Sequence, residues 1–522
     1  MEVFSKLDAL LAALPAACPS PTAQASPAAV LVSLGTPSMT IAVLDKGKIS
    51  SHGISSIADD EDTLFQACSI SKPLTGVVIF KLIEQGKLAL HASISRYLSA
   101  EQVQQLETPQ TAGLAKHITI SSLLSHTSGL EAGGVFGFPG YDINDGGVMP
   151  DLPAVLAGAA PSNTLRIRLR DWPGRRFSYS GGGTTVLQLI IERVTAKPFP
   201  AVVQELVFDP LAMDRSRFAP PLPHDINGLA CPGRRTKANF ARAYYNGHTP
   251  CEIPHRVNPE QAAAGLWSTP TDVLKLGRAI QRSLEGAPDA LLSAESAQAL
   301  LTEVQDGMAH SWFVTTRPHG AFRHAGSNVP GWRCNVVCFA DLNFAASAEP
   351  NGTGMPAQLA PIPSPSPLSA SVQGCGLAVM TNSAEGVTAY AKVMAAICYF
   401  NGWPSPPGTW ADAEIVIPFA DLLVDVGSKW QAWQGWWDAG TWELLDAEGG
   451  GGCRPHMRFK GMPPVRLHAA AWPPGPTIDL VATGLEIMLR LGFDESGEQT
   501  IEVWHGPRKD RQTLRRAQRL FN

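Results

Sequence analysis

Residues 65–76 read FQACSISKPLTG, and the meaning of Ser69 and Lys72 within that stretch decides how the rest of the chain is read. Pro73 is tolerated in the first turn of a helix, where its missing N–H strands no partner. A helix is therefore predicted to begin at Ser69 and to end near Gly86, a natural C-cap. Three residues apart at a helix start, Ser69 and Lys72 stack on one face. A serine hydroxyl becomes a nucleophile when a neighbouring base takes its proton. Lysine can be that base once desolvation or positive neighbours bring it down from its ordinary value of about 10.4. The helix N-terminus also directs backbone N–H groups at developing negative charge. Alone, such a pair is better explained as a cap beside a solvated charge.

Two further stretches change that balance. FSYSGGGTTVLQLIIERVT, residues 177–195, places Tyr179 before a glycine run that opens a helix, so a phenol can project from a tight loop. FRHAGSNVPGW, residues 322–332, places His324 on a strand beside Ala325 and Gly326, small residues that leave room for a substrate backbone at the edge. Singly, the tyrosine reads as core packing and the histidine as a satisfied structural residue. Together the three stretches stand in the order and spacing that one catalytic scheme requires.

Outward from these motifs, strand-like runs gather at two places. MTIAVLD (39–45) and KISSHGI (48–54) form a pair turned at Lys46-Gly47, and further strands are expected at 312–316, 321–326, 333–340 and 376–382. Helical patterns fill the interval. One starts at STPTDV, with Thr269 as cap, Pro270 in the first position and Asp272 as the acid of a capping box. A last helix, about 387–400, is expected to cover the sheet. The order implies an α/β (α+β) fold: an antiparallel sheet from 39–65 and 312–382, flanked by helices, with an inserted all-helical region at about 95–300. Residues 345–371 are of low complexity and read as an exposed loop, and 404–410 as a linker. Nine of the 13 tryptophans lie at or beyond Trp403, so 411–522 is expected to be a separate β-rich, barrel-like domain after a catalytic domain at 1–403. Its tryptophans are expected to pack a core rather than form an aromatic binding platform.

Composition removes other function classes. A net charge of −5 and a pI of about 6.2 offer no basic excess for nucleic acid. No apolar run is long enough to span a bilayer. Ala9 to Cys18 imitates a leader, but Glu2 and Asp8 beside it and the helical spacing of Val3, Leu7, Leu10, Leu11 and Leu14 favour an amphipathic first helix. Nine cysteines, an odd number without CxxC pairs, read as buried free thiols and favour a reducing, cytoplasmic setting. The 13 histidines are scattered without HExxH, so no metal and no cofactor are expected.

Across about residues 3–403 the chain resembles the serine β-lactamase and penicillin-binding-protein-like hydrolases, in the branch with class C β-lactamases, D-aminopeptidases and esterases. KHITISSLLSHTSGL (116–130), GFPGY (137–141), PLAMDRSRF (210–218), PEQAAAGLWSTPTDVLKLG (259–277) and VMTNSAEG (379–386) carry the resemblance beyond the three motifs. It implies that Ser69 forms an acyl-enzyme, that Lys72 and Tyr179 act as base and acid, and that the N–H groups of Ser69 and Ser327 form an oxyanion hole. His324 and Gly326 would belong to the substrate edge, with His324 where β-lactamases carry the lysine of KTG. Gly181 stands where their YxN motif has asparagine, which argues against efficient β-lactam hydrolysis. His126 in SHTSGL matches a position of structural support. The expected activity is a serine hydrolase or acyltransferase acting on a small-molecule or peptide-like ester, thioester or amide. The alternatives are a D-amino-acid-specific peptidase and an inactive binding module that uses the tryptophan-rich domain.

Overall fold

A computed structural model describes residues 2–13, 26–131, 138–142, 148–229, 234–316, 320–342, 373–401, 403–404, 431–437, 442–446, 455–459, 465–469, 478–482, 487–494, 496–505 and 511–516. The low-complexity loop 345–371, most of the 404–410 linker and Trp430 lie outside them. The chain divides into two compact units, Thr36–Ala384 and the combination of Met1–Gly35 with Glu385–Asn522.

The first unit is built on six antiparallel strands in the order β2-β1-β8-β7-β6-β5. They are β1 (Ser38–Asp45), β2 (Lys48–Ser55), β5 (Phe313–Thr315), β6 (Ala321–Asn328), β7 (Trp332–Phe339) and β8 (Gly376–Thr381). The β1–β2 turn falls at Lys46-Gly47 as expected. Both residues take positive φ, 49° and 74°, which lets a two-residue loop follow the strands' twist. Strands from both halves of the unit meet because β1 pairs with β8, Ile41 opposite Val379. The inserted region is mainly helical and also holds β4 (Trp267–Ser268), which pairs with β3 (Phe65–Gln66) just before the nucleophile turn.

The helix Pro270–Leu284 packs on β1 and β8 and is capped by Thr269, whose Oγ accepts from Asp272 N at 3.3 Å. The expected capping box does not form. The buried Asp272 carboxylate instead accepts from Arg215 N at 2.8 Å, Ser216 Oγ at 2.9 Å and Lys275 Nζ at 2.7 Å, and three donors outbid one cap N–H.

In the second unit, Glu2–Ala13 is the amphipathic first helix, with Phe4, Leu7 and Leu11 buried, and it packs against the last helix, Gly386–Asn401. A helix at Pro27–Ser33 arises where the sequence suggests only a joining segment: Pro27 fills its first turn and Ser26 Oγ accepts from Ala29 N. Eight further strands run from β9 (Gly435–Trp437) through β10 (Trp442–Asp446), β11 (Pro455–Phe459), β12 (Val465–Ala469), β13 (Ile478–Ala482), β14 (Ile487–Phe493) and β15 (Gln499–His505) to β16 (Arg511–Arg515), each antiparallel to the next. A single bridge from Trp437 to Arg516 links the two ends of this sheet, in the manner of a barrel. Alternate residues point inward: Trp442 and Leu444, Leu489 and Leu491, Ile501 and Val503 are buried together with Trp433 and Trp437. Trp433 stacks on Trp437 at 5.8 Å, while Trp436 is exposed.

Candidate active site

The helix after Ser69 begins later than expected. Cys68–Ile70 form a single 3-10 turn and the α-helix runs from Ser71 to Glu84. Cys68 causes the offset: its φ of +52° lies in the left-handed region, a strain of about 1–3 kcal/mol for a residue with a side chain. Fully buried contacts hold it there. Cys68 Sγ donates to Gln66 O at 3.3 Å, and Cys334 Sγ of β7 donates to Ala67 O at 3.1 Å. The strained turn lifts Ser69 partly clear of the core while Cys68 and Ile70 stay beneath it.

Lys72 is 2% exposed, and its Nζ donates to Ser69 Oγ at 3.0 Å and to Ala263 O at 2.9 Å. Burial brings its pKa from the ordinary lysine value down to about 7, so the amine form is accessible at neutral pH. The Tyr179 ring lies 4.9 Å from Nζ. Part of the ring stays open to solvent, yet burial raises the phenol above its usual range, an effect the neighbouring Ser69 hydroxyl opposes. Tyr179 is held from below. Ser180 Oγ caps the helix Gly181–Thr195 by accepting from Gly183 N at 2.9 Å and itself donates to Glu131 O at 2.8 Å. The His126 ring lies 4.3 Å from the Tyr179 ring, and its Nδ1 accepts from Ser180 N at 3.1 Å, which is the supporting position expected for it.

His324 lies in the same group, its ring 6.2 Å from that of Tyr179. Burial and then the Lys72 charge lower its pKa to about 3, so it is neutral. Its Nδ1–H donates to Ala325 O at 2.6 Å, an acceptor that assigns the tautomer and leaves Nε2 buried without a partner. Ser327 is exposed on β6 opposite Arg333. Gly326 corrects the reading that its smallness leaves room for substrate. A Cβ there would stand 2.5 Å from Cys334 Sγ, 2.8 Å from Cys68 Cβ and 2.9 Å from Ala67 O, so the space belongs to the nucleophile turn. Gly182 is similar: its missing Cβ makes way for Ile167 and Glu131 O.

The residues named from sequence, Ser69, Lys72, Tyr179, His324, Gly326 and Ser327, thus gather around one short turn and one strand end. Sequence reasoning missed the frame around them. Asn328 Nδ2 donates to Gln66 Oε1 at 2.8 Å and to Ala264 O at 3.0 Å, locking the end of β6 to the residues before Ser69, and Ala263 O fixes Lys72. These are contacts of backbone carbonyls and two side-chain amides, groups that no residue pattern distinguishes from ordinary ones. Six cysteines of the described residues are free and buried, in keeping with the thiol reading. Among the described residues no group of ligands is arranged to hold a metal, and no helix is long and apolar enough to cross a membrane.

Comparisons with known proteins bear on the family and the fold. The family described as Beta-lactamase matches residues 7–393. The chain is 29% identical to esterase EstB of Burkholderia gladioli over 45% of this chain and 61% of the esterase. It is 27% identical to penicillin-binding protein 4* of Bacillus subtilis over 30% of this chain and 31% of that protein. It therefore spans less than two thirds of the length of either relative. In fold, it is similar to the penicillin-binding protein homologue of Pyrococcus abyssi, with a TM-score of 0.54 at 16% identity, covering 92% of this chain and 96% of the other. An antiparallel sheet with an inserted helical region, the strained serine turn and a family match across most of its length lead to one conclusion: the chain belongs to the Beta-lactamase family.

Proposed function

We propose that the protein is a serine hydrolase or acyltransferase that cleaves an ester, thioester or amide through an acyl-Ser69 intermediate. One observation carries this reading: Lys72 Nζ lies 3.0 Å from Ser69 Oγ in an enclosure that brings the amine to about 7. Ser69 Oγ loses its proton to the Lys72 amine as it bonds to the acyl carbon. The negative oxygen that develops is received by the N–H groups of Ser69 and Ser327. Tyr179 and Lys72 pass the proton to the leaving group as its bond to carbon breaks. Water, an alcohol or an amine then attacks the acyl carbon, and Ser69 regains its proton.

The substrate class follows from two side chains. A lysine in place of His324 would present a permanent positive charge to a substrate carboxylate, whereas neutral His324 presents only the Nε2 lone pair. Gly181 supplies no amide to hold an acyl side-chain carbonyl. Esters without a carboxylate are therefore favoured over β-lactams, and the similarity to an esterase supports the same choice. In a panel of p-nitrophenyl esters and nitrocefin, the best ester is expected to exceed nitrocefin by at least about 100-fold in kcat/KM. Nitrocefin turnover matching that of the esters would overturn the assignment of substrate class.

A further inference from the structure

Five aromatic rings form a closed circuit beside the serine turn, and the acyl-serine chemistry accounts for only two of them, Tyr179 and His324. Ring centroids are 4.3 Å apart from His126 to Tyr179, 6.2 Å from Tyr179 to His324 and 5.5 Å from His324 to Phe313. The circuit then runs 6.2 Å from Phe313 to Phe177 and 6.2 Å from Phe177 back to His126. These are spacings of direct ring contact. The circuit is tied to the reacting atoms through Lys72, whose Nζ lies 4.9 Å from the Tyr179 centroid and 3.0 Å from Ser69 Oγ.

The two histidines are buried, whereas Phe177 and Phe313 are half-buried and Tyr179 is 37% exposed. The circuit is therefore covered at its imidazoles and reachable from solvent at its phenyl and phenol rings. Backbone and charge hold these rings in place. Ser178 N donates to His126 O at 2.8 Å, and Phe313 stands on β5 opposite Arg323 of β6, whose guanidinium lies 5.5 Å from the Phe313 centroid. Phenyl area left in water beside a reactive serine gains free energy when a substrate covers it. Neighbouring rings are tilted by 38° to 84°, so the circuit presents both faces and edges. That mixture suits a flat aromatic group better than a saturated one of equal bulk, because ring edges and faces attract each other.

We infer that Phe177 and Phe313, with Tyr179, receive an aromatic leaving group, so that the preferred acyl donors are esters of aryl or arylmethyl alcohols; the inference rests on the acyl-serine reaction. The leaving side is assigned because Tyr179 belongs both to the circuit and to the proton path that ends on the leaving oxygen. Ser69 Oγ bonds to the acyl carbon, the bond from that carbon to the alcohol oxygen breaks, and the oxygen takes the proton passed on by Lys72 and Tyr179. The ring attached to that oxygen then lies against Phe177 and Phe313, which act as specificity residues.

The test measures kcat/KM of the full chain on benzyl acetate and cyclohexylmethyl acetate, whose alcohols are similar in bulk and basicity and differ in the flat ring. The wild type is expected to favour benzyl acetate by at least about threefold. Phe177→Leu and Phe313→Leu, which keep an apolar side chain, each move that ratio toward unity. Where one of them does not fold, the other is read. A wild-type ratio near unity, or a ratio indifferent to the substitutions, overturns the inference. Ethyl phenylacetate against ethyl cyclohexylacetate forms the second arm: a ring preference confined to this pair puts the aromatic group on the acyl side and likewise overturns it. Failure to turn over any of these esters, or turnover undiminished in Ser69→Ala, is a different outcome and overturns the acyl-serine reading instead.

Discussion

The decisive chemistry at the level of single residues is the state of Lys72. A lysine enclosed to 2% exposure and drawn down to about 7 is mostly ammonium below that pH and mostly amine above it. Only the amine can accept the Ser69 proton. Acylation is therefore expected to rise with pH through about 7 and then level off, measured as the pH dependence of phosphonate labelling. Lys72→Arg keeps the cation, cannot deprotonate, and is expected to lower the rate by about 10²–10⁴-fold with the rise near neutrality abolished. A rate rise that persists unchanged in that variant would assign the base elsewhere. Ser69, Lys72, Tyr179 and His324 were legible in the sequence because each is a reactive side chain at a recognisable spacing. Asn328 was not. An asparagine after a serine looks like any turn residue, and only its bonds to Gln66 and Ala264 distinguish it.

Among elements, the nucleophile turn and the β6–β7 pair depend on each other. Gly326 lies opposite Cys334 in the ladder, and the absent Cβ is what lets the strand approach Ala67 and Cys68. Gly326→Ala is expected to destabilise the protein by about 1–3 kcal/mol and to slow Ser69 labelling, because either the strand or the strained turn must shift. Thermal unfolding and the labelling rate check this together, and a fully stable, fully reactive variant would show that the close approach is dispensable. The glycine was visible in the sequence, but its purpose was misread, since a missing side chain does not say what fills the space. The β1–β2 hairpin was readable to the residue because Lys46-Gly47 is a local signal. The Thr269–Asp272 capping box failed because Arg215, Ser216 and Lys275, which compete for the carboxylate, come from outside the local pattern or from its far side.

Over the whole molecule, two units with separate cores account for the chain's length and for its uneven tryptophan content. The bridge between Trp437 and Arg516 could not be read from strand periodicity, which predicts inward and outward residues but not whether the two ends of the sheet meet. The sheet of the first unit was more legible, because its strands are apolar runs bounded by turn residues. The insertion between them serves the site directly: it brings Tyr179, Ala263 and Ala264 to a serine turn presented by the sheet side. In the proposed reaction this meeting makes Ser69 a nucleophile. Incubation of the full chain with an activated phosphonate, followed by intact mass of the wild type and of Ser69→Ala, tests it most directly. A single adduct is expected on the wild type and none on the variant; an unmodified wild type, or a variant labelled equally fast, would overturn the acyl-Ser69 mechanism.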